Sequence, residues 1–148
     1  MSVSVHRTSS EADTIALGRR IAAALMRPAL VMLIGNLGAG KTTLTKGIVQ
    51  GLGAADPNDV SSPTFTLIHQ YAQHVWHIDL YRLETALQVS SLGLEELFDD
   101  PIGVILVEWG ERFPTLFPPE RVEVRIERLR EDDDARRLEI AGLALNSD

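Results

Sequence analysis

The sequence predicts an α/β fold: one domain over residues 1–148, built on a mixed, mostly parallel sheet flanked by helices and carrying antiparallel hairpins. Three observations predict it. An apolar run, ALVMLI (29–34), leads through a glycine-rich turn into the helical pattern KTTLTKGIVQGLG (41–53). A second apolar run, GVILV (103–107), follows later. Pairs of short strand-like segments joined by tight turns lie between these runs and after them. Strand, glycine turn, helix and a later buried strand is the order of α/β architecture, and the hairpins make the sheet mixed.

The elements follow in order. TSSEADTIALGRRIAAALM (8–26) reads as a helix capped by Ser9 or Ser10, with Glu11 and Asp13 in its first turn. Ile15, Ala22 and Leu25 share one face, and Pro28 ends the helix. ALVMLI is apolar on both faces, as a parallel strand covered on both sides must be. The next helix closes at Gly51 or Gly53. AADPNDVSSP (54–63) is a polar loop with two prolines. TFTLIHQYA (64–72) and HVWHIDLYRL (74–83) form a hairpin, and ETALQVSSLGLEELF (84–98) is helical but interrupted near Gly93. IGVILVEWG (102–110) is a buried strand ending in an acid. RVEVRIERL (121–129) alternates as a half-exposed strand does, EDDDA turns, and RRLEIAGLAL (136–145) returns beside it.

Composition narrows the classes. The 148 residues hold one core, 45% of them are apolar, and the formal charge is −7 with the basic residues scattered. A chain that gripped RNA or DNA alone would carry a basic face, so no strong hold on nucleic acid is expected. No run approaches the roughly 18 apolar residues that span a membrane, and MSVSVHRTSSEAD lacks a secretory h-region. There is no cysteine for disulfides or thiolate metal sites. A cytoplasmic location is expected.

Gly35-Asn36-Leu37-Gly38-Ala39-Gly40-Lys41-Thr42 matches G-x-x-x-x-G-K-[ST] at every fixed position, between a strand and a helix. The glycines permit a tight turn whose N–H groups face inward, and the helix adds its positive end. The segment therefore reads as the phosphate loop of a P-loop NTPase. Asn36, Leu37, Gly38, Ala39, Gly40, Lys41, Thr42 and Thr43 are the expected phosphate-binding residues, with Lys41 on the outer phosphates and the Thr42 hydroxyl on Mg²⁺.

Such a site needs an acid at the end of a neighbouring buried strand. Glu108 fits, whether on the metal, acting through a water, or orienting one. Trp109 beside it either lines the site or packs. In HIDLYR the period of two puts His77, Asp79 and Tyr81 on one face, and Asp79 is a candidate to place water or magnesium. Ser61, Ser62 and Thr64 offer hydroxyls that a γ-phosphate could order, or they simply lead a proline loop into a strand. His69, His74 and His77, without cysteine, make a poor zinc set.

GNLGAGKTT, SSPTFTL with HIDLYRL, and VEWGER stand in an order that resembles the TsaE (YjeE) family of small bacterial P-loop ATPases, over roughly residues 8–140. The resemblance implies a Mg²⁺-dependent ATPase, weak alone. It implies work with TsaB and TsaD in making N6-threonylcarbamoyladenosine (t6A) at adenosine 37 of tRNA, the tRNA being met only through the complex. It implies metal residues Thr42 and Glu108, with Lys41, Asp79 and Glu108 as the catalytic set. It also implies nucleotide contacts from the segment Thr8 to Glu11 (Ser10 among them), from Trp109 and from Arg136. One departure is Asn36, where family members carry an acid; its loss favours a bound anion.

Three other readings compete. A small P-loop kinase would need an arginine-bearing lid, and residues 83–100 contain no arginine. A GTPase would need N-K-x-D, which is absent, and the D-x-x-G match at Asp100–Gly103 precedes its strand instead of following one. A nucleotide-gated interaction module, in which ATP occupancy matters more than turnover, shares the same loop.

Overall fold

A computed structural model describes residues 2–147. Seven strands make one sheet: β1 (Val3–Thr8), β2 (Ala29–Ile34), β3 (Ile68–Tyr71), β4 (Val75–Asp79), β5 (Val104–Glu108), β6 (Val122–Arg128) and β7 (Arg136–Ala141). Their spatial order is β1-β7-β6-β2-β5-β4-β3. The central four, β6-β2-β5-β4, run parallel. β3, β7 and β1 add antiparallel edges. Four α-helices among the described residues accompany them: α1 (Glu11–Ala24), α2 (Lys41–Gly51), α3 (Ala86–Ser90) and α4 (Leu94–Phe98). The α/β fold expected from the sequence, a mixed and mostly parallel sheet flanked by helices, is the one observed.

Alternation along each strand sorts the core into two layers. Val31 and Leu33 of β2 point to the α1–α2 side with Val104, Leu106, Leu44 and Ile48. Leu30 and Met32 point the other way, toward Ile105, Val107, Val89 and Leu94. Both faces of β2 and β5 are therefore buried, which is why their sequences are continuously apolar.

Ser10 caps α1, its hydroxyl accepting from the Asp13 N–H at 3.1 Å. The buried face differs from the expected one. Of Ile15, Ala22 and Leu25 only Ala22 is buried, whereas Thr14, Leu17, Gly18 and Ile21 also face inward. The reason is a close helix crossing. A Cβ on Gly18 would stand 2.5 Å from the Leu44 carbonyl oxygen, and one on Gly47 would stand 2.0 Å from that of Ile15. α1 turns its glycine toward α2, and the helix backbones touch.

Two further differences have local causes. β1 is a strand that the sequence pattern does not announce, because its buried residues are Ser4, His6 and Thr8 while Val3 and Val5 face outward. β3 is shorter than the segment 64–72, since residues 64–66 form a turn and Leu67 takes a left-handed φ of 69°. The interruption at Gly93 appears as expected, with φ 73° between α3 and α4. Among the described residues no helix is long and apolar enough to cross a membrane.

Candidate functional site

β2 ends at Ile34 and its carboxyl end opens into the glycine loop. Gly38 and Gly40 hold φ values of 77° and 114°, which only glycine adopts without strain. Gly35 is needed for a different reason: a Cβ there would lie 2.7 Å from the Ile126 carbonyl oxygen of β6. Asn36 is exposed and its carbonyl accepts from the Ala39 N–H at 3.0 Å, closing the turn. α2 begins at Lys41, so its free N–H groups meet the mouth of the loop.

The Lys41 ammonium is buried. It donates to the Gly35 carbonyl at 2.7 Å and lies 3.7 Å from the centre of the Trp109 ring. Burial pushes its pKa down, while the charges of Glu108, Glu111 and Asp79 pull it back up. Three acids thus converge on one cation.

β4 and β5 bring two of those acids side by side, since Asp79 stands opposite Glu108 in the parallel register. Both belong to the face that packs under α2, because Val75, Val104 and Leu106 belong to that layer. Glu108 is 4% exposed; its Oε2 accepts from His77 Nε2 at 2.5 Å and from the Thr42 hydroxyl at 3.4 Å. Asp79 is also buried. Its Oδ2 accepts from the Ser62 and Thr64 hydroxyls at 3.0 and 2.9 Å, and its Oδ1 from the Tyr81 N–H.

A cleft of about 270 Å³ opens over these groups at the carboxyl ends of the strands, where ligands of open α/β sheets bind. Leu37, Gly38, Gly40, Lys41, Thr42, Thr43, Asp79, Glu108, Trp109 and Arg136 line it, all of them expected from the sequence. Ser62, Thr64 and Tyr81 line it too. Asn36 and Ala39 belong to the loop's outer turn, away from the lining. Ser10 stands apart with its hydroxyl on the Asp13 N–H. Its neighbour Glu11 lines an adjoining hollow of about 110 Å³ with Thr14, Gly40, Thr43, Asp134 and Arg136. A larger hollow of about 500 Å³ opens at the far end of the sheet beside Leu30 and Val122, without a phosphate-type loop.

Trp109 takes a left-handed φ of 68°, a strained setting for a bulky residue. It both lines the cleft and packs, its ring 5.2 Å from that of Tyr81. Gly110 makes this turn possible, because a Cβ there would meet Met32 Cε at 2.8 Å. Arg136 lies across the loop, its Nε donating to the Ala39 carbonyl at 2.7 Å.

Three residues escaped the sequence reading as site residues. Arg112 ties the chain after β4 to the site by donating to the carbonyls of Leu80, Tyr81 and Leu83. Glu111 adds charge near Lys41. His77 holds Glu108. Only the R in VEWGER and the period of two in HIDLY pointed toward them. His69, His74 and His77 do not converge: His74 pairs with Asp100 and His77 with Glu108, and the described residues contain no cluster of three metal-ligating side chains.

The family model for "Threonylcarbamoyl adenosine biosynthesis protein TsaE" matches residues 8–138. The chain is 40% identical over 131 residues to the tRNA threonylcarbamoyladenosine biosynthesis protein TsaE of Bacillus subtilis, covering 86% of this chain and 79% of that one. It is also 40% identical over 135 residues to the protein of that name from Streptomyces coelicolor, covering 86% and 88%. The crystal structure of Bacillus subtilis YdiB superposes with a TM-score of 0.72 at 34% identity, covering 94% of this chain and 84% of that one. With the glycine loop, the paired strand-end acids and the tryptophan turn inside the matched span, the chain belongs to the TsaE family.

Proposed function

We propose that this chain is a Mg²⁺-dependent ATPase that serves t6A formation at adenosine 37 of tRNA, working with TsaB and TsaD and meeting tRNA only through them. The observation that carries the nucleotide half is the meeting of Lys41 and Thr42 with Glu108 and Asp79 in one cleft. The pathway half rests on the names of the relatives.

The donor set fits the group. Thr42 and Glu108 supply hard oxygen donors of the kind magnesium takes, and the cleft is lined by Gly38 and Gly40 of the loop together with the Lys41 ammonium. Bound Mg²⁺ neutralises phosphate charge and stabilises the transferring phosphoryl group. Lys41 exchanges its Gly35 carbonyl for phosphate oxygens. Asp79, held by two loop hydroxyls, accepts a hydrogen bond from the attacking water. Trp109 and Tyr81 wall the cleft on the side of Lys41 and limit water there. Arg136 braces the loop through Ala39 and lines the same cleft, where it would meet the nucleotide.

One observation favours a gated variant of this reading. The hydroxyls of Ser62 and Thr64 hold their loop to Asp79, and Phe65 between that loop and Arg82 is 82% exposed. A nucleotide that engages Asp79 would free this loop for a partner. The test is ATP turnover by the chain alone and with TsaB and TsaD of the same source, beside Glu108→Ala. Slow turnover that rises with both partners, and a variant that binds ATP yet fails to sustain modification, support the ATPase. Full multi-cycle modification by Glu108→Ala makes occupancy the function instead. Fast turnover indifferent to the partners removes the pathway.

A further inference from the structure

The two strand-end acids are held in different ways. Asp79 is gripped by hydroxyls of a surface loop, which can leave. Glu108 is gripped from inside the sheet. His77 lies two residues before Asp79 on β4, on the same face, and is 0% exposed. Its Nε2 meets Glu108 Oε2 at 2.5 Å across the parallel pair β4–β5. With Glu108 as a carboxylate, which only accepts, Nε2 carries the hydrogen, and the buried Nδ1 has no hydrogen-bond partner among the described residues. The other hold on that oxygen is Thr42 at 3.4 Å, a long contact from the residue expected to turn toward metal. Without His77 a nearly buried carboxylate would keep one weak donor.

We infer that His77 is a positioning residue for magnesium: it fixes the Glu108 carboxylate from behind, so metal affinity depends on a side chain outside the cleft lining. This rests on the reading that Thr42 and Glu108 hold the metal. Hydrogen bonds behind a metal-ligating carboxylate set its orientation and basicity, and their loss typically weakens metal binding about 10–100-fold. His77 is suited to the task because a strand interior cannot move with the loops. The contact also survives whatever nucleotide does to Ser62 and Thr64.

The test measures Mn²⁺ affinity by electron paramagnetic resonance on protein loaded with a non-hydrolysable ATP analogue. His77→Gln keeps an amide N–H close to the place of Nε2. His77→Asn is one methylene shorter and falls short of Glu108. Affinity close to wild type in His77→Gln, with a loss of about 10-fold or more in His77→Asn, is the expected result. Metal-free nucleotide affinity should stay level in both. Equal Mn²⁺ affinity in His77→Asn and wild type overturns the inference, provided Glu108→Gln does weaken Mn²⁺ binding. If Glu108→Gln binds Mn²⁺ as wild type does, the metal assignment itself fails, and the inference with it. Nitrogen-15 spectra of the wild-type histidines need no variant: a hydrogen on Nε2 of His77 supports the inference, and a hydrogen on Nδ1 alone refutes it.

Discussion

Replacing Lys41 by methionine should separate binding from stability, with a large loss of affinity and little change in melting. The ammonium is buried, yet the described structure gives it one hydrogen bond, to Gly35, and the face of Trp109. Its lowered pKa, caused first by burial, says the same: the folded chain holds this charge at a cost. Phosphate oxygens would replace the carbonyl when nucleotide binds. Two charge-assisted bonds at about 1.5 kcal/mol or more each come to about 3 kcal/mol, or roughly 100-fold in affinity. Methionine fills similar space without a charge. Methionine ends the desolvation cost of the ammonium but also leaves Glu108, Glu111 and Asp79 without the cation they face, so the two effects oppose and the nucleotide-free variant should melt within about 3 °C of wild type. Calorimetric ATP titration and thermal melts read the two effects. A variant that melts several degrees lower and binds ATP as wild type does would refute the reasoning, since Lys41 would then be a pin that holds the loop closed.

Other substitutions probe the frame. Gly47→Ala should lose about 3 kcal/mol in urea unfolding despite alanine's better helix propensity, because the new Cβ would stand 2.0 Å from the Ile15 carbonyl oxygen; unchanged stability would deny the close crossing. Ser10→Ala should cost about 1 kcal/mol through the lost helix cap and leave ATP affinity level; a fall in affinity would put the hydroxyl on the nucleotide. The His74 hydrogen bond holds the Asp100 carboxyl below its ordinary 3.8. Its contribution is therefore full above pH 3.8 and is lost as pH falls through the lower folded value. The stability difference between wild type and Asp100→Asn should vanish in that acid range, and a difference that grows there would reverse the assignment.

The parts of this fold legible in the sequence are those whose signal is local. The glycine loop, the doubly apolar β2 and β5, and the break at Gly93 each announce themselves within about a dozen residues. β1 did not, because its inward side chains are Ser4, His6 and Thr8, an inversion that hydrophobic periodicity cannot read. The inward face of α1 was misjudged since a glycine contact carries no apolar mark. At the site, Lys41, Thr42, Asp79 and Glu108 were legible from motif and strand ends. The bond from His77 to Glu108 was not: the two lie 31 positions apart and meet only through the register of two parallel strands. Arg112 escaped likewise, because its acceptors are backbone carbonyls about 30 positions earlier.

The pairing of β1 with β7 sets an order on the chain's birth. Val3 lies against Ala141 and Thr8 against Arg136, so the first strand made must wait for the last. A nascent chain can assemble β2, α2, the β3–β4 hairpin and β5 while its own beginning hangs as an open strand edge, the kind of surface that recruits other chains. Any product stopped before residue 136 carries that edge for life. Quality control during synthesis, more than catalysis, is where damage to β7 would first be felt.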